Sequence, residues 1–204
     1  MVKAIKKNKI LIYILAFSLL FFVVGILLNR QICPSNDLLQ TMIESFSLHN
    51  NGNFLVINKG EKKLFIYENF NKVNSYIITI GKKPGNKRKS GDNRTPEGIF
   101  IIKSIDNSTN WVYDYPNDTL GPIVGAYGHW FIRLDVPGFN GIGIHGFFHD
   151  DALGERASHG CVRLNNKKLE EVVNFVKPGM PVIILPGDKD LEINRADLKI
   201  KAPQ

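Results

Sequence analysis

The chain has 204 residues, 44% of them hydrophobic and 22% charged, with a formal net charge of +7. This length accommodates one domain with a hydrophobic core and an additional segment, but not two domains of ordinary size. The positive charges cluster at the N-terminus and between Lys82 and Arg94, which argues against a broad nucleic-acid-binding face, so no nucleic acid is expected as a partner. The two cysteines, Cys33 and Cys161, exclude a disulfide framework, although a single bridge between them stays open.

An uncharged apolar segment, residues 10–28, follows a basic N-terminus. Its length matches the roughly 20 residues of a membrane-spanning helix, and residues 29–33 lack the small residues of a cleavage or lipid-attachment site. An uncleaved anchor is therefore expected, rather than a cleaved signal or a buried core helix. Because four lysines precede the segment, the positive-inside rule predicts that residues 1–9 form a cytoplasmic tail. Everything after Arg30 is then expected outside the cytoplasm, in a periplasm or cell-wall space.

The next part of the chain, residues 29–52, is interpreted as a linker that contains a short helix over 35–50. Strand patterns rich in Ile, Val and Phe follow, and the first two read as a hairpin because a Lys-Gly-Glu turn joins them. The predicted strands are 54–58, 62–68, 73–81, 98–104, 130–134, 142–145 and 181–185.

One helix interrupts the strand patterns near the C-terminal end of the predicted domain. Asn165 or Asn166 is expected to cap it, and apolar residues at helical spacing share one face as far as Val176. These elements predict a mainly β domain over 53–187 with one or two packed helices. The remaining residues, 188–204, form a polar tail that is expected to be loosely ordered.

Two histidines lie close in sequence to the deep cysteine, within residues 142–166. A free thiol with a pKa of about 8.5 is a poor nucleophile at neutral pH, and a neighbouring imidazole makes its thiolate available. Gly160 allows a sharp bend just before Cys161, where backbone N–H groups can point at an oxyanion. His159 is two residues from Cys161 and His145 ends a separate strand, so sequence geometry leaves the choice of base open.

Other interpretations concern the remaining polar residues. Arg163 suits the fork-like recognition of a carboxylate. A zinc site would use His145, His149, His159 and Cys161 as ligands. His145 and His149 have the i,i+4 spacing of a helical ligand pair, but the segment around His145 reads as a strand. No metal is therefore expected. The basic run from Lys82 to Arg94 reads either as a solvated loop or as an attraction for an anionic wall polymer or stem-peptide carboxylates.

Three motifs carry a family resemblance. Residues 158–163, Ser-His-Gly-Cys-Val-Arg, resemble the signature of the L,D-transpeptidase (YkuD-type) catalytic domain family. Residues 144–146, Ile-His-Gly, match the second motif of the family. Residues 94–100 look like the Thr-Pro-x-Gly segment at which a strand of the family begins. Residues 80–82 resemble the end of the strand that precedes it in the family. The motifs occur in the family's order, and the resemblance covers roughly 53–187.

The resemblance implies a β-sandwich with a few helices and an enzyme that needs no cofactor. It implies attack on the carbonyl of an L-centred diamino acid in a peptidoglycan stem peptide, loss of the terminal D-residue, and transfer of the acyl group to an amine on another stem or on a wall-attached protein. Carbapenem-type β-lactams are the implied inhibitors. The implied site residues are the nucleophile Cys161, the general base His145, the oxyanion-shaping His159 and Gly160 with Ser158 beside them, and Arg163, which orients the donor or the loop.

Two alternatives to a transferase stay open at this level. In the first, water hydrolyses the same thioester, and the enzyme is an L,D-carboxypeptidase or an amidase. In the second, the domain is a wall-binding module without catalytic turnover. Residues 147–157 do not follow a family pattern, which leaves the acceptor undefined.

Overall fold

The computed structural model describes residues 52–114, 121–147 and 152–201. The predicted membrane span 10–28 and linker helix 35–50 lie outside these residues. Among the described residues, no helix is both long and apolar enough to cross a membrane.

The described part of the chain confirms the predicted mainly β class with packed helices. The predicted strands form with boundaries shifted by at most a few residues. The strands are β1 (Phe54–Asn58), β2 (Lys63–Glu68), β3 (Asn71–Gly81), β4 (Gly98–Asn107), β5 (Val112–Asp114), β6 (Pro122–Val124), β7 (Trp130–Asp135), β8 (Gly143–His145), β9 (Arg156–Ser158), β10 (Val162–Leu164) and β11 (Pro181–Leu185). The helices are α1 (Asn166–Phe175) and α2 (Asp188–Lys201).

Nine strands form one sheet in the order β10-β8-β7-β4-β11-β1-β2-β3-β9. The sheet returns on itself because β10 also pairs with the long strand β3, through Arg163↔Thr79 and Leu164↔Ile78. Strands β5 and β6 form a separate hairpin. The closure brings β8, β9 and β10, which carry the candidate site residues, next to one another.

The core lies inside the curved sheet. Strands β1 and β11 pair in parallel, and every residue of both is buried, as expected for short continuous apolar runs. Helix α1 covers the core with Leu169 and Val172, and the Asn165 side chain caps it by accepting the N–H groups of Lys167 and Lys168. Each buried aliphatic side chain stabilises the fold by about 1.5–3 kcal/mol.

The expectation of a loosely ordered tail is wrong for the residues that form α2. The reason is a buried carboxylate, Asp190, with 0% side-chain exposure. Its oxygens lie 3.0 Å from Lys59 Nζ and 2.5 Å from Arg156 Nη2, and they accept the N–H groups of Gly85 and Gly187. One side chain therefore connects α2 to β1, to the loop before β4, and to β9, which leads into the candidate site.

Replacing Asp190 by alanine is expected to lower the free energy of unfolding by about 3–5 kcal/mol, because it removes a partner from buried charges. Lys59 is also 0% exposed and would keep only Glu97, 2.6 Å away, as its counterion. Denaturant unfolding followed by the fluorescence of the two tryptophans, which both lie in this domain, measures the change. Asp188→Ala, at an exposed position two residues earlier in α2, is the matched control. Equal midpoints for the two variants would contradict the structural role of Asp190.

Candidate active site

A pocket of about 240 Å³ is formed by β8, the turn between β9 and β10, the loop before β4, and the β5–β6 hairpin with its following loop. His145, His159, Cys161 and Arg163 line it. The structure thus gathers four of the six candidate residues around one cavity. The other two, Ser158 and Gly160, form the turn that carries Cys161.

His145 is held rigidly at the end of β8. The residue is 3% exposed. Its ring is stacked on Phe131 with a centroid distance of 5.4 Å, and it packs edge to face with Tyr127 at a centroid distance of 5.0 Å. Nδ1 lies 2.6 Å from the Gly146 carbonyl oxygen. Because a carbonyl oxygen only accepts hydrogen bonds, Nδ1 must be the donor, and in the neutral ring Nε2 is then the acceptor. The fold therefore selects the tautomer that a general base requires.

The charge state of His145 follows from its burial. Burial, and then the positive charge of Arg163, lower the pKa of His145 to about 3, against the opposing effect of the Gly146 carbonyl. The imidazole is therefore neutral at neutral pH and keeps its acceptor nitrogen.

Cys161 is a half-buried free thiol. Its Sγ lies 3.2 Å from the Gly141 carbonyl oxygen, a contact that suits an S–H donor and would repel a thiolate. Burial raises the pKa of the Cys161 thiol, while the Gly143 N–H and the charge of Arg163 are the first two of the effects that oppose the rise. The resting site therefore holds a protonated thiol, and the proton must move during attack.

The turn that presents Cys161 is fixed by Ser158, which is fully buried. Its hydroxyl donates to the Cys161 carbonyl at 2.5 Å and accepts the Gly160 N–H at 3.1 Å. The Gly160 N–H is therefore engaged within the turn, so the contribution of Gly160 is conformational. Its φ is +131°, and a Cβ there would lie 2.9 Å from the Arg94 carbonyl oxygen, which excludes other residues.

Thr95 is a buried residue that the sequence analysis identified only as part of a motif, without a role. Its hydroxyl donates to the Gly160 carbonyl at 2.9 Å and accepts the Gly81 N–H at 2.8 Å. Residues 94–100 therefore hold the nucleophile turn against the end of β3. The motif order in the sequence was the signal for this contact, but only the fold shows which atoms it joins.

Arg163 is buried at 8% exposure in β10, beside His145 in the parallel register. Its guanidinium lies 4.5 Å from the centre of the Phe147 ring, and within the described ranges Nε makes no hydrogen bond. A buried guanidinium donor without an acceptor is costly. Its position in the pocket wall is therefore suited to a carboxylate ligand.

His159 also borders the pocket, and its Nδ1 lies 3.0 Å from the Tyr113 hydroxyl. Burial, and then the charges of Lys82 and Arg163, lower its pKa below the ordinary range. Both histidines are thus neutral at neutral pH, and the tautomer of His145 is fixed by the Gly146 carbonyl.

The zinc interpretation depended on His149, which lies outside the described residues. Within 52–114, 121–147 and 152–201, no three His, Cys, Asp or Glu side chains gather as a metal site.

The comparisons with known proteins agree with the motifs. The family profile of the L,D-transpeptidase catalytic domain (YkuD) matches residues 52–184. The putative L,D-transpeptidase YqjB of Bacillus subtilis (strain 168) is 27% identical over 142 residues, which cover 68% of this chain and 74% of that protein.

Solved structures show the same fold. The helical cell shape determining protein Pgp2 from Campylobacter jejuni superposes with a TM-score of 0.51 at 22% identity, covering 70% of this chain and 50% of Pgp2. The L,D-transpeptidase LdtMt1 in complex with imipenem gives a TM-score of 0.51 at 19% identity, covering 66% of this chain and 59% of that structure. This chain therefore spans between half and three fifths of the length of these two structures.

Proposed function

Since this chain belongs to the YkuD-type L,D-transpeptidase family, we propose that it is a cysteine acyl-transferase acting on peptidoglycan stem peptides. The observation that carries the proposal is that a thiol and a neutral imidazole line the same pocket. A half-buried thiol, Cys161, shares the cavity with a buried neutral imidazole, His145, whose Nε2 is left as the acceptor. This pair supports nucleophilic catalysis with a general base.

In the proposed acylation, Cys161 Sγ attacks the donor carbonyl while its proton passes to His145 Nε2. The Cys161 N–H adjoins the thiol and is assigned to the oxyanion, with His159 and Tyr113 shaping the same side of the pocket. Collapse breaks the peptide bond, and the imidazolium returns the proton to the departing D-residue amine. An acceptor amine then attacks the thioester, loses a proton to His145, and releases the thiol.

Arg163 is assigned to a carboxylate of the donor. This contact also affects the base, because the Arg163 charge is one of the causes that depress the His145 pKa. A bound carboxylate offsets that charge and moves the pKa of His145 upward, towards the value at which a base operates well near neutral pH. Donor binding and base strength are thereby coupled in the proposed mechanism.

Incubation of the full chain with purified muropeptides, followed by mass analysis, tests the function. Cross-linked dimers that lack a terminal D-residue support the transferase. Trimmed monomers would indicate the hydrolase that uses the same thioester. Unchanged muropeptides would overturn the proposal in favour of a wall-binding module.

The proposed location is a cell membrane, with the N-terminus cytoplasmic and the catalytic domain outside the cytoplasm. It rests on the apolar segment 10–28 behind four lysines. The full-length protein is expected to stay with membranes through high-salt and alkaline washes. Recovery of a soluble mature form that begins after Arg30 would contradict the anchor.

A further inference from the structure

One residue of the basic run between Lys82 and Arg94 lies in the wall of the candidate active site. The side chains of Lys82, Lys83, Arg88 and Lys89 are exposed, as expected for a solvated loop. The Lys87 side chain is only 4% exposed and lines the pocket that holds Cys161. Burying an ammonium group is costly, so its position in the wall of the pocket requires an explanation beyond solubility.

A fixed carboxylate holds Lys87 in place. Asp92 Oδ1 lies 2.9 Å from Lys87 Nζ, and the same carboxylate accepts backbone N–H groups from Arg88, Lys89 and Arg94. Burial would raise the pKa of Asp92, but these donors and the Lys87 ammonium together lower it to about 2. Asp92 is therefore a carboxylate throughout the physiological pH range, and its contact with Nζ fixes the position of the Lys87 side chain.

That position is beside the nucleophile turn. A Cβ built on Gly160, the residue before Cys161, would lie 3.6 Å from Lys87 Nζ. On its other side, Nζ lies 5.3 Å from the centre of the Phe139 ring. Lys87 therefore reaches from the loop before β4 across to the loop after β7, next to the point where a donor carbonyl must be placed.

Lys87 keeps hydrogen-bonding capacity for a ligand. An ammonium has three donors, and within the part of the chain that the structure describes only Asp92 takes one of them. No Asp or Glu is among the described residues that line the pocket, whereas Arg163 adds a second cation. The pocket thus offers two separate positive groups to whatever lies over Cys161.

We propose that Lys87 is a specificity-determining residue that binds a second carboxylate of the donor, on the side chain of the diamino acid whose carbonyl Cys161 attacks. This inference rests on the proposed function. Stem donors carry one carboxylate on the leaving D-residue, to which Arg163 is suited. The diamino acid itself adds a carboxylate only when its side chain bears a free one, as in diaminopimelate, and adds none when that group is amidated or when lysine replaces it.

Two matched tetrapeptide donors test the proposal with the full chain, one with free diaminopimelate and one with its side-chain carboxamide. The wild-type protein is expected to prefer the free carboxylate by about tenfold or more in kcat/KM, as for a charge-assisted hydrogen bond. Lys87→Met should remove the preference by lowering only the rate on the carboxylate donor, and Lys87→Arg should largely retain it. Because the ratio is measured within one preparation, it does not depend on the folded fraction.

Lys89→Met is the control, since it removes the same charge from an exposed position of the same loop, and it should keep the wild-type ratio. If Lys87→Met does not fold, the double variant Lys87→Met/Asp92→Asn, which removes both charges of the pair, provides the same comparison. A preference that persists without Lys87, or equal losses on both donors, would overturn the inference. A wild-type protein inert on both donors would instead overturn the proposed function.

A reagent pair gives a second readout that needs no peptide. Iodoacetate and iodoacetamide alkylate the same thiol and differ in carrying a carboxylate or an amide. The ratio of their rates at Cys161 is expected to fall severalfold in Lys87→Met and to stay unchanged in Lys89→Met, since Lys87 lies next to Gly160 and lines the same pocket as Cys161. An unchanged ratio in Lys87→Met would place the Lys87 charge out of reach of an anion at the nucleophile and contradict the proposal.

Discussion

Replacing Cys161 by alanine is expected to abolish turnover, with a loss of at least about 10⁴-fold, because it removes the thiol that forms the proposed acyl-enzyme. The fold should survive, since Cys161 is a half-buried free thiol and the substitution removes only one atom from its side chain. Cys161→Ser should be nearly as inactive, because a hydroxyl is far harder to deprotonate than a thiol. Muropeptide turnover and the tryptophan fluorescence of the folded state are the two measurements. Substantial activity in Cys161→Ala would refute the mechanism.

The same variant makes inhibitor binding a direct test of the acyl-enzyme. LdtMt1, which shares the fold, has been solved in complex with imipenem, and we expect carbapenems to acylate Cys161 here. Intact-protein mass spectrometry should show a mass increase of one inhibitor on the wild-type chain and none on Cys161→Ala. An adduct that persists in the variant would place the reactive group elsewhere.

Loss of the base should cost about 10²–10⁴-fold in acylation rate. His145→Asn is the sharpest substitution, since its amide can still donate to the Gly146 carbonyl but offers no nitrogen in place of Nε2. Loss of an oxyanion-shaping residue costs a similar factor, about 10²–10³, so rate alone cannot separate His145 from His159. The alkylation of Cys161 by iodoacetamide as a function of pH separates them, because it depends on removal of the thiol proton and not on an oxyanion.

His145→Asn is expected to move the alkylation profile to higher pH, while His159→Asn leaves it close to that of the wild type. The reverse result would make His159 the base.

The low-pH side of the alkylation profile gives a further check on the wild type. Since the folded pKa of His145 is lowered to about 3, the imidazole loses its acceptor only as the pH falls towards that value. In the free protein, thiol reactivity should therefore show no His145-dependent loss near the ordinary histidine pKa of about 6.5.

Features that depend on local pattern could be predicted from the amino-acid sequence. Strands such as β1 and β11 are short apolar runs bounded by turn residues, and the α1 cap at Asn165 is a local side-chain preference. The family assignment followed from ordered motifs around Cys161 and His145, because catalytic chemistry needs those residue types at that spacing. The short strands β5, β6, β9 and β10 were missed, since three residues carry too little periodicity to indicate a strand. The equally short β8 was predicted because it lies in the Ile-rich segment 142–145.

The charge states and hydrogen-bonding states of the functional groups depend on the tertiary structure. The neutral charge and Nδ1–H tautomer of His145 come from its burial and from the Gly146 carbonyl, which is placed by the end of β8. Lys87 is part of the pocket because the loop before β4 folds around Asp92 and lies against the nucleophile turn. Charge states, tautomers and long-range ion pairs depend on desolvation and on partners distant in the chain, which no local pattern encodes.

The polar tail is the clearest example. Residues 188–201 have little apolar periodicity, and from composition alone they read as loosely ordered. They form a helix because Asp190 meets Lys59 and Arg156, which lie 131 and 34 positions earlier in the chain, in a site sheltered from water. Asn194 of the same helix adds two contacts, since its side chain accepts the Asn86 N–H and donates to Glu97. These partners come from distant parts of the chain, so they meet the helix only after the sheet has formed.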